Sequence, residues 1–137
     1  MIGRMIEQNT HLKINKTLSG EIIKLDNNYS KVRLVTNSDM VVDERGLIHG
    51  GFIFNLADFA SMVAVNHPNV VLGGANVKFF KPVQNGDILV AEANLTSIEG
   101  KKNLVNVKVS KDNDVVFKGD FVCFITETHV LDGVDKA

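Results

Sequence analysis

The apolar residues of this chain fall into several short runs and one long one. The long run follows Gly50 and Gly51. From Phe52 to Val65 it reads FIFNLADFASMVAV, with Asp58 its one charge. Asn55, Asp58 and Ser61 interrupt it at i, i+3 and i+6, so a helix from about Phe52 to Asn66 would be apolar on nearly every side. Such a helix is buried rather than half in water. It should stop before Pro68, because the residue ahead of a proline avoids the helical conformation.

The short runs have the marks of strands. NKTLSGEIIKLD (15–26) and YSKVRLVTN (29–37) flank the turn-forming Asp26–Asn28. VVLGGANVKFFKPV (70–83), ILVAEANLTSIE (88–99), NLVNVKVS (103–110) and VVFKGDFVCFITET (115–128) follow, separated by QNGD, GKK and KDND. Val105, Val107 and Val109 alternate with Leu104, Asn106 and Lys108, the period of two of a strand with one wet face. These runs predict an antiparallel sheet of five or six strands wrapped around one central buried helix, an α+β arrangement. Residues 1–12 read as an N-terminal arm or short helix, 37–48 as an irregular loop and 128–137 as a flexible tail.

Composition narrows the functional classes. At 137 residues the chain has the length of a single domain, 1–137. Fifteen basic and sixteen acidic residues leave a formal charge of −1, which gives no support to nucleic acid as a partner. The single cysteine, Cys123, lies in an apolar run and reads as a core thiol, as in a reducing compartment. The N-terminus has no apolar core of signal-peptide length, and no stretch is long enough to cross a membrane, so the expected location is the cytoplasm. His11, His49, His67 and His129 lack metal-ligand spacing, and no Gly-rich phosphate loop is present, so neither a metal nor a bound nucleotide cofactor is expected.

Two readings of the polar stripe stand side by side. Asp58 could cap a turn or pair with a core Arg. Alternatively it is a carboxylate held at an apolar pocket, where desolvation raises its pKa and makes it a better general base. Gly50 and Gly51, ahead of the helix, could form a plain turn or let a ligand reach backbone N–H groups that stabilise negative charge.

GLIHGGFIFNLADFA, residues 46–60, resembles the signature of the hot-dog fold superfamily, specifically the phenylacetate-pathway-type acyl-CoA thioesterases. Gly46, His49, Gly50, Gly51 and Asp58 occupy the motif positions, and ANVKFFKPVQNGDILVAEA is similar to the central strand and turns of that family. The resemblance implies a homodimer, in some members a tetramer, binding acyl-CoA between subunits that both supply residues. It implies that Asp58 activates water or attacks the thioester, that an N–H of the Gly pair, Gly50 first, holds the carbonyl oxygen, and that His49 shapes the loop. Asn76 and Val77 would run beside the pantetheine arm. Lys78, Lys81, Lys101 and Lys102 are candidates for the nucleotide phosphates, and Asn55 and Phe54 for further substrate contacts. No cofactor is implied beyond the CoA thioester itself.

Phe52, Phe54, Phe59, Phe79 and Phe80 suit a lipophilic pocket or simply a core. Where many of these thioesterases carry Asn six residues before the His, this chain has Asp43, either tuning Asp58 or sitting as a solvated loop charge. The second half is also similar to the acyl-CoA-binding effector domain of the malonyl-CoA-responsive repressor of fatty-acid synthesis, which implies an alternative: a sensor that binds acyl-CoA without cleaving it. A hydratase would need a catalytic His on the helix, and His49 lies ahead of it.

Overall fold

The computed structural model describes residues 5–133 of the chain. Six strands form one antiparallel sheet: β1 (Glu21–Asp26), β2 (Tyr29–Val35), β3 (Val70–Phe79), β4 (Ile88–Glu99), β5 (Lys102–Lys111) and β6 (Asp114–Ile125). Their order across the sheet is β1-β2-β4-β5-β6-β3. The long helix α2 (Gly50–Val65) touches all six strands, which a flat sheet would not allow, so the sheet curls around it. Together they make the expected hot-dog arrangement.

Small side chains let helix and sheet approach closely. Ala57, Ala60 and Ala64 on α2 and Ala91 and Ala93 on β4 are all buried. At this distance the fully buried Ser30 hydroxyl donates to the Ala60 carbonyl at 2.6 Å. Val105, Val107 and Val109 point inward from β5 while Asn106 and Lys108 point out, as the alternation predicts.

One tight spot between β3 and β6 is Gly119 on β6. A Cβ there would lie 2.7 Å from Val77 Cγ1 and 2.8 Å from Phe121 Cε1. Gly119→Ala should therefore force β3 away from β6, at a cost of about 1–3 kcal/mol. Thermal melting checks this, and a variant melting at the wild-type temperature would show that the pair has slack.

Several boundaries differ from the sequence expectation, among them that β2 stops at Val35 and β6 at Ile125. Residues 15–20 do not extend the first strand. They form a one-turn helix, α1 (Lys16–Ser19), whose N-terminus is capped by the Asn15 side chain, with Gly20 (φ 101°) closing the far end. Capping chemistry at both ends outweighs the apparent alternation. Helix α2 begins at Gly50, two residues early, and stops at Val65 because Asn66 takes the left-handed conformation and donates its N–H to Met62 O. The run over 70–83 divides: β3 ends at Phe79, and Val83 O instead accepts from Ile48 N. The loop over 37–48 holds one 3-10 turn, Ser38–Met40.

The arm is not helical over its described part, residues 5–12; residues 1–4 lie outside the described residues. It runs past β1, with Ile6 N donating to Leu25 O, and is tied to the end of α2 by Asn66, which accepts from Asn9 N and donates to Glu7 O. Of the tail, 128–133 is mostly turn and 134–137 lies outside the described residues. Among the described residues no helix is long and apolar enough to cross a membrane.

The two sheet edges are unlike. Strand β1 is short, bulged and met by the arm. Strand β3 is ten residues long, and among the described residues nothing pairs with its outer edge. Such an edge is a template for another chain.

Candidate active site

Helix α2 opens on two glycines with His49 as N-cap; the His49 side chain makes no capping hydrogen bond. The first N–H groups of any helix lack intrahelical partners, so Gly50 and Gly51 present donors at the positive end of the helix dipole. Their lack of side chains matters sterically. A Cβ on Gly51 would meet His49 Nε2 at 2.9 Å, and one on Gly50 would meet Phe79 Cε2 at 3.4 Å. His49 thus folds back over the glycine pair, and its ring also meets Phe52 edge-on at 6.0 Å. Ile48, Gly50, Ile53, Phe79, Phe80 and Val83 line an apolar groove of about 360 Å³ at this end of the helix. A larger concavity, about 510 Å³, lies among Asp43, Arg45, Gln84, Asp87 and Lys111 and includes neither Gly50 nor Asp58.

Phe54 and Asp58 follow Gly50 at i+4 and i+8, on one flank of the helix. Phe54 is half-buried and packs on Phe121 at 5.4 Å. Asp58 is the unusual group. Its Oδ1 is buried without a hydrogen-bond partner, and burial pushes the carboxyl up from 3.8 to about 6. No cation pairs with it among the described residues, so it is neither a cap nor half of an ion pair. Ser61, one turn on, turns its hydroxyl to the Asp58 backbone carbonyl at 2.7 Å.

Cys123 on β6 lies beside this pair. Burial raises its thiol to about 11, opposed by a hydrogen bond with Ser61 and reinforced by the Asp58 charge. At that value it is a core thiol, not a nucleophile. Nothing in the sequence placed it near Asp58; only the β6 register does.

The remaining candidates separate. Asn76 and Val77 lie on edge strand β3, the first exposed and the second half-buried, opposite Asp120 and Gly119. Lys78 is exposed beside them. Lys81 is held by both oxygens of Asp114 at 2.7 and 2.6 Å, and Lys101 by Glu127 at 3.6 Å. Asp43 accepts the N–H groups of Arg45 and Leu47 and so folds its own loop.

Asn55 turns away from Asp58. Its amide donates to Leu18 O at 3.1 Å and Ser19 Oγ at 2.8 Å, so it fastens α1 to α2. Asn55→Ala should cost about 1 kcal/mol of stability and leave turnover per folded molecule within about twofold. Melting and steady-state rates together check this; a large rise in KM would return Asn55 to the substrate site.

One distance decides how the site can work. Gly50 and Asp58 are eight residues apart on a straight helix, about 12 Å along its axis. A carbonyl accepting a hydrogen bond from Gly50 N–H is therefore out of reach of the Asp58 of the same chain. The spacing was readable in the sequence once both residues were placed on one helix.

The family model described as "Thioesterase superfamily" matches residues 45–118, which include both helix groups, β3, β4 and β5. The chain belongs to the Thioesterase superfamily. Among its relatives in that superfamily's fold, an uncharacterized protein from Pyrococcus horikoshii is 49% identical. Its crystal structure superposes with a TM-score of 0.93 over 95% of this chain and 100% of that one. A methylthioribose-1-phosphate isomerase from Aquifex aeolicus is 54% identical over 82% of this chain. Transcription factor FapR from Caldanaerobacter subterraneus is 30% identical, again over 82%. The chain spans only 25% of the isomerase and 56% of the transcription factor.

Proposed function

We propose that this protein is an acyl-CoA thioesterase acting as a homodimer in the cytoplasm, with each site built from two chains. The unpartnered, half-buried carboxylate of Asp58 carries the proposal. A buried polar atom without a partner is costly, and such groups concentrate where a reactant will supply the missing contact. A carboxyl raised to about 6 is still ionised at neutral pH and more basic than a solvated one.

Dimerisation through the bare β3 edge would bring the α2 start of one chain toward Asp58 of the other. The Gly50 N–H then holds the thioester oxygen while Asp58 activates water or attacks the carbonyl carbon. His49 packs the loop, Asn76 and Val77 offer strand backbone to the pantetheine arm, and Lys78 is the free lysine nearest them. No metal or further cofactor is needed, since a thioester is activated enough for one base and one oxyanion donor. Each of the two contributes on the order of 10²–10³ in rate.

Similarity to FapR favours a second reading, an acyl-CoA sensor without turnover. One experiment separates them: release of CoA thiol from short, long and aromatic acyl-CoAs, alongside calorimetric binding of the same panel. Turnover establishes the thioesterase and names its acyl class. Tight binding of acyl-CoA without thiol release makes the protein a sensor, and neither result would remove acyl-CoA as its ligand.

A further inference from the structure

The outer face of the sheet carries a lysine row of which the proposed thioester site draws on Lys78 alone. Following the register from edge to edge, Lys24 stands opposite Lys31, Lys31 opposite Glu92, Glu92 opposite Lys108, Lys108 opposite Lys118, and Lys118 opposite Lys78. All six strands contribute, and every position but one is lysine. Directly opposed residues project from the same face, and the buried neighbours Leu25, Val32, Ala91, Val107 and Phe117 fix that face as the outer one. At about 4.8 Å per strand the row is about 24 Å long.

Like charges directly opposite one another destabilise a sheet, so a row of this kind is not explained by folding. None of its five lysines is among the ion pairs of the described residues. Lys24 lies over the Tyr29 ring at 5.6 Å, and Tyr29 donates its hydroxyl to Glu92 at 2.8 Å. The chain as a whole has a charge of −1, so the row is a local concentration rather than a general basicity.

We propose that this face docks an acidic protein segment, a helix with carboxylates at i, i+4 and i+7 laid along Lys108, Lys118 and Lys78. Side chains at that helical spacing stand about 5–6 Å apart, close to the strand separation that spaces the lysines. Fixed negative charges distinguish this face from a nucleic-acid groove. Glu92 interrupts the row, and Asp120 stands in the next one, between Asn106 and Asn76. A continuous phosphate backbone would run against both, whereas a protein surface can present neutral groups or a cation there. The face lies on the opposite side of the sheet from α2, so Lys108 and Lys118 stand apart from the thioester chemistry and only Lys78, at the β3 edge, is shared with the proposed acyl-CoA site.

The test uses the full chain and a labelled helical peptide with glutamates at those positions. A glutamine version of the peptide and a single-stranded oligonucleotide serve as probes of charge and of class, all read by fluorescence anisotropy at low and moderate salt. Wild type should bind the glutamate peptide, weaken at least tenfold with added salt, and ignore the glutamine version. Lys108→Glu with Lys118→Glu should weaken binding at least tenfold while melting near the wild-type temperature, because the two reversals leave the number of opposed like charges along the row unchanged. Lys108→Gln with Lys118→Gln should weaken it less, in the same direction. Unchanged affinity in both double variants, no peptide binding by wild type, or tighter binding of the oligonucleotide would each overturn the proposal. Thioester turnover should be unaltered in these variants, so failure here leaves the proposed enzyme untouched.

Discussion

Asp58→Asn is expected to abolish thioester hydrolysis and, in the same step, to stabilise the fold at neutral pH. The rate should fall by about 10²–10³, the contribution of a positioned base or nucleophile. The stability change follows from linkage. Folding raises the carboxyl from 3.8 to about 6, so between those pH values the folded state holds a proton that the unfolded state has released. Stability therefore declines as pH rises through that window, and above it the folded protein carries the full penalty of a charge away from water, roughly 3 kcal/mol.

Asn removes the charge but keeps a polar amide in the same place. A gain of about 1–3 kcal/mol at pH 8 is expected, shrinking toward zero near pH 4. Denaturant unfolding of both proteins at these two pH values reads it directly. For the wild type, kcat/KM should lose activity on the acid side with a midpoint near pH 6, as the carboxylate takes up its proton. A variant that keeps its turnover would end the catalytic role of Asp58. One that loses turnover without gaining stability would mean the folded state already gives the carboxylate a partner. Opposed effects on rate and stability are the mark of a group retained for its use rather than for folding.

How far the sequence reaches can be seen at particular residues. The apolar run after Gly51 could only be a buried helix, and six β-like segments around one such helix leave few architectures. The motif at Gly46, His49, Gly50, Gly51 and Asp58 pointed to the family. Where the sequence misled, short-range chemistry overrode periodicity: Asn15 and Gly20 make a capped turn out of what reads as a strand. Asn55 shares the polar stripe with Asp58, yet consecutive members of that stripe are rotated about the helix axis, and Asn55 ends up facing α1. The proximity of Cys123 to Asp58 and the lysine row across six strands depend on strand register, which no local pattern specifies. The orphaned oxygen of Asp58 is likewise a property of packing, legible only once each neighbour has a position.

Mixing two inactive variants should restore activity if each site draws on two chains. Asp58→Asn removes the base. Gly50→Pro removes the candidate oxyanion donor with little cost to the fold. Position 50 is the first residue of α2, where proline is well tolerated, and His49 before it has φ −60° and ψ 128°, the extended conformation that proline requires of its predecessor. Each homodimer should lose about 10²-fold or more in rate. In a mixed dimer one site combines both defects and the other combines none. Random assortment makes half the dimers mixed and half of their sites intact, so co-expression or refolding of an equal mixture should recover about a quarter of wild-type turnover. Recovery to that level, with each parent near zero, requires donor and base to come from different chains. No recovery from a mixture shown to contain mixed dimers would place both groups in one chain. The 12 Å between Gly50 and Asp58 would then have to be bridged by something other than a single thioester carbonyl, and the oxyanion role of the Gly pair would fall.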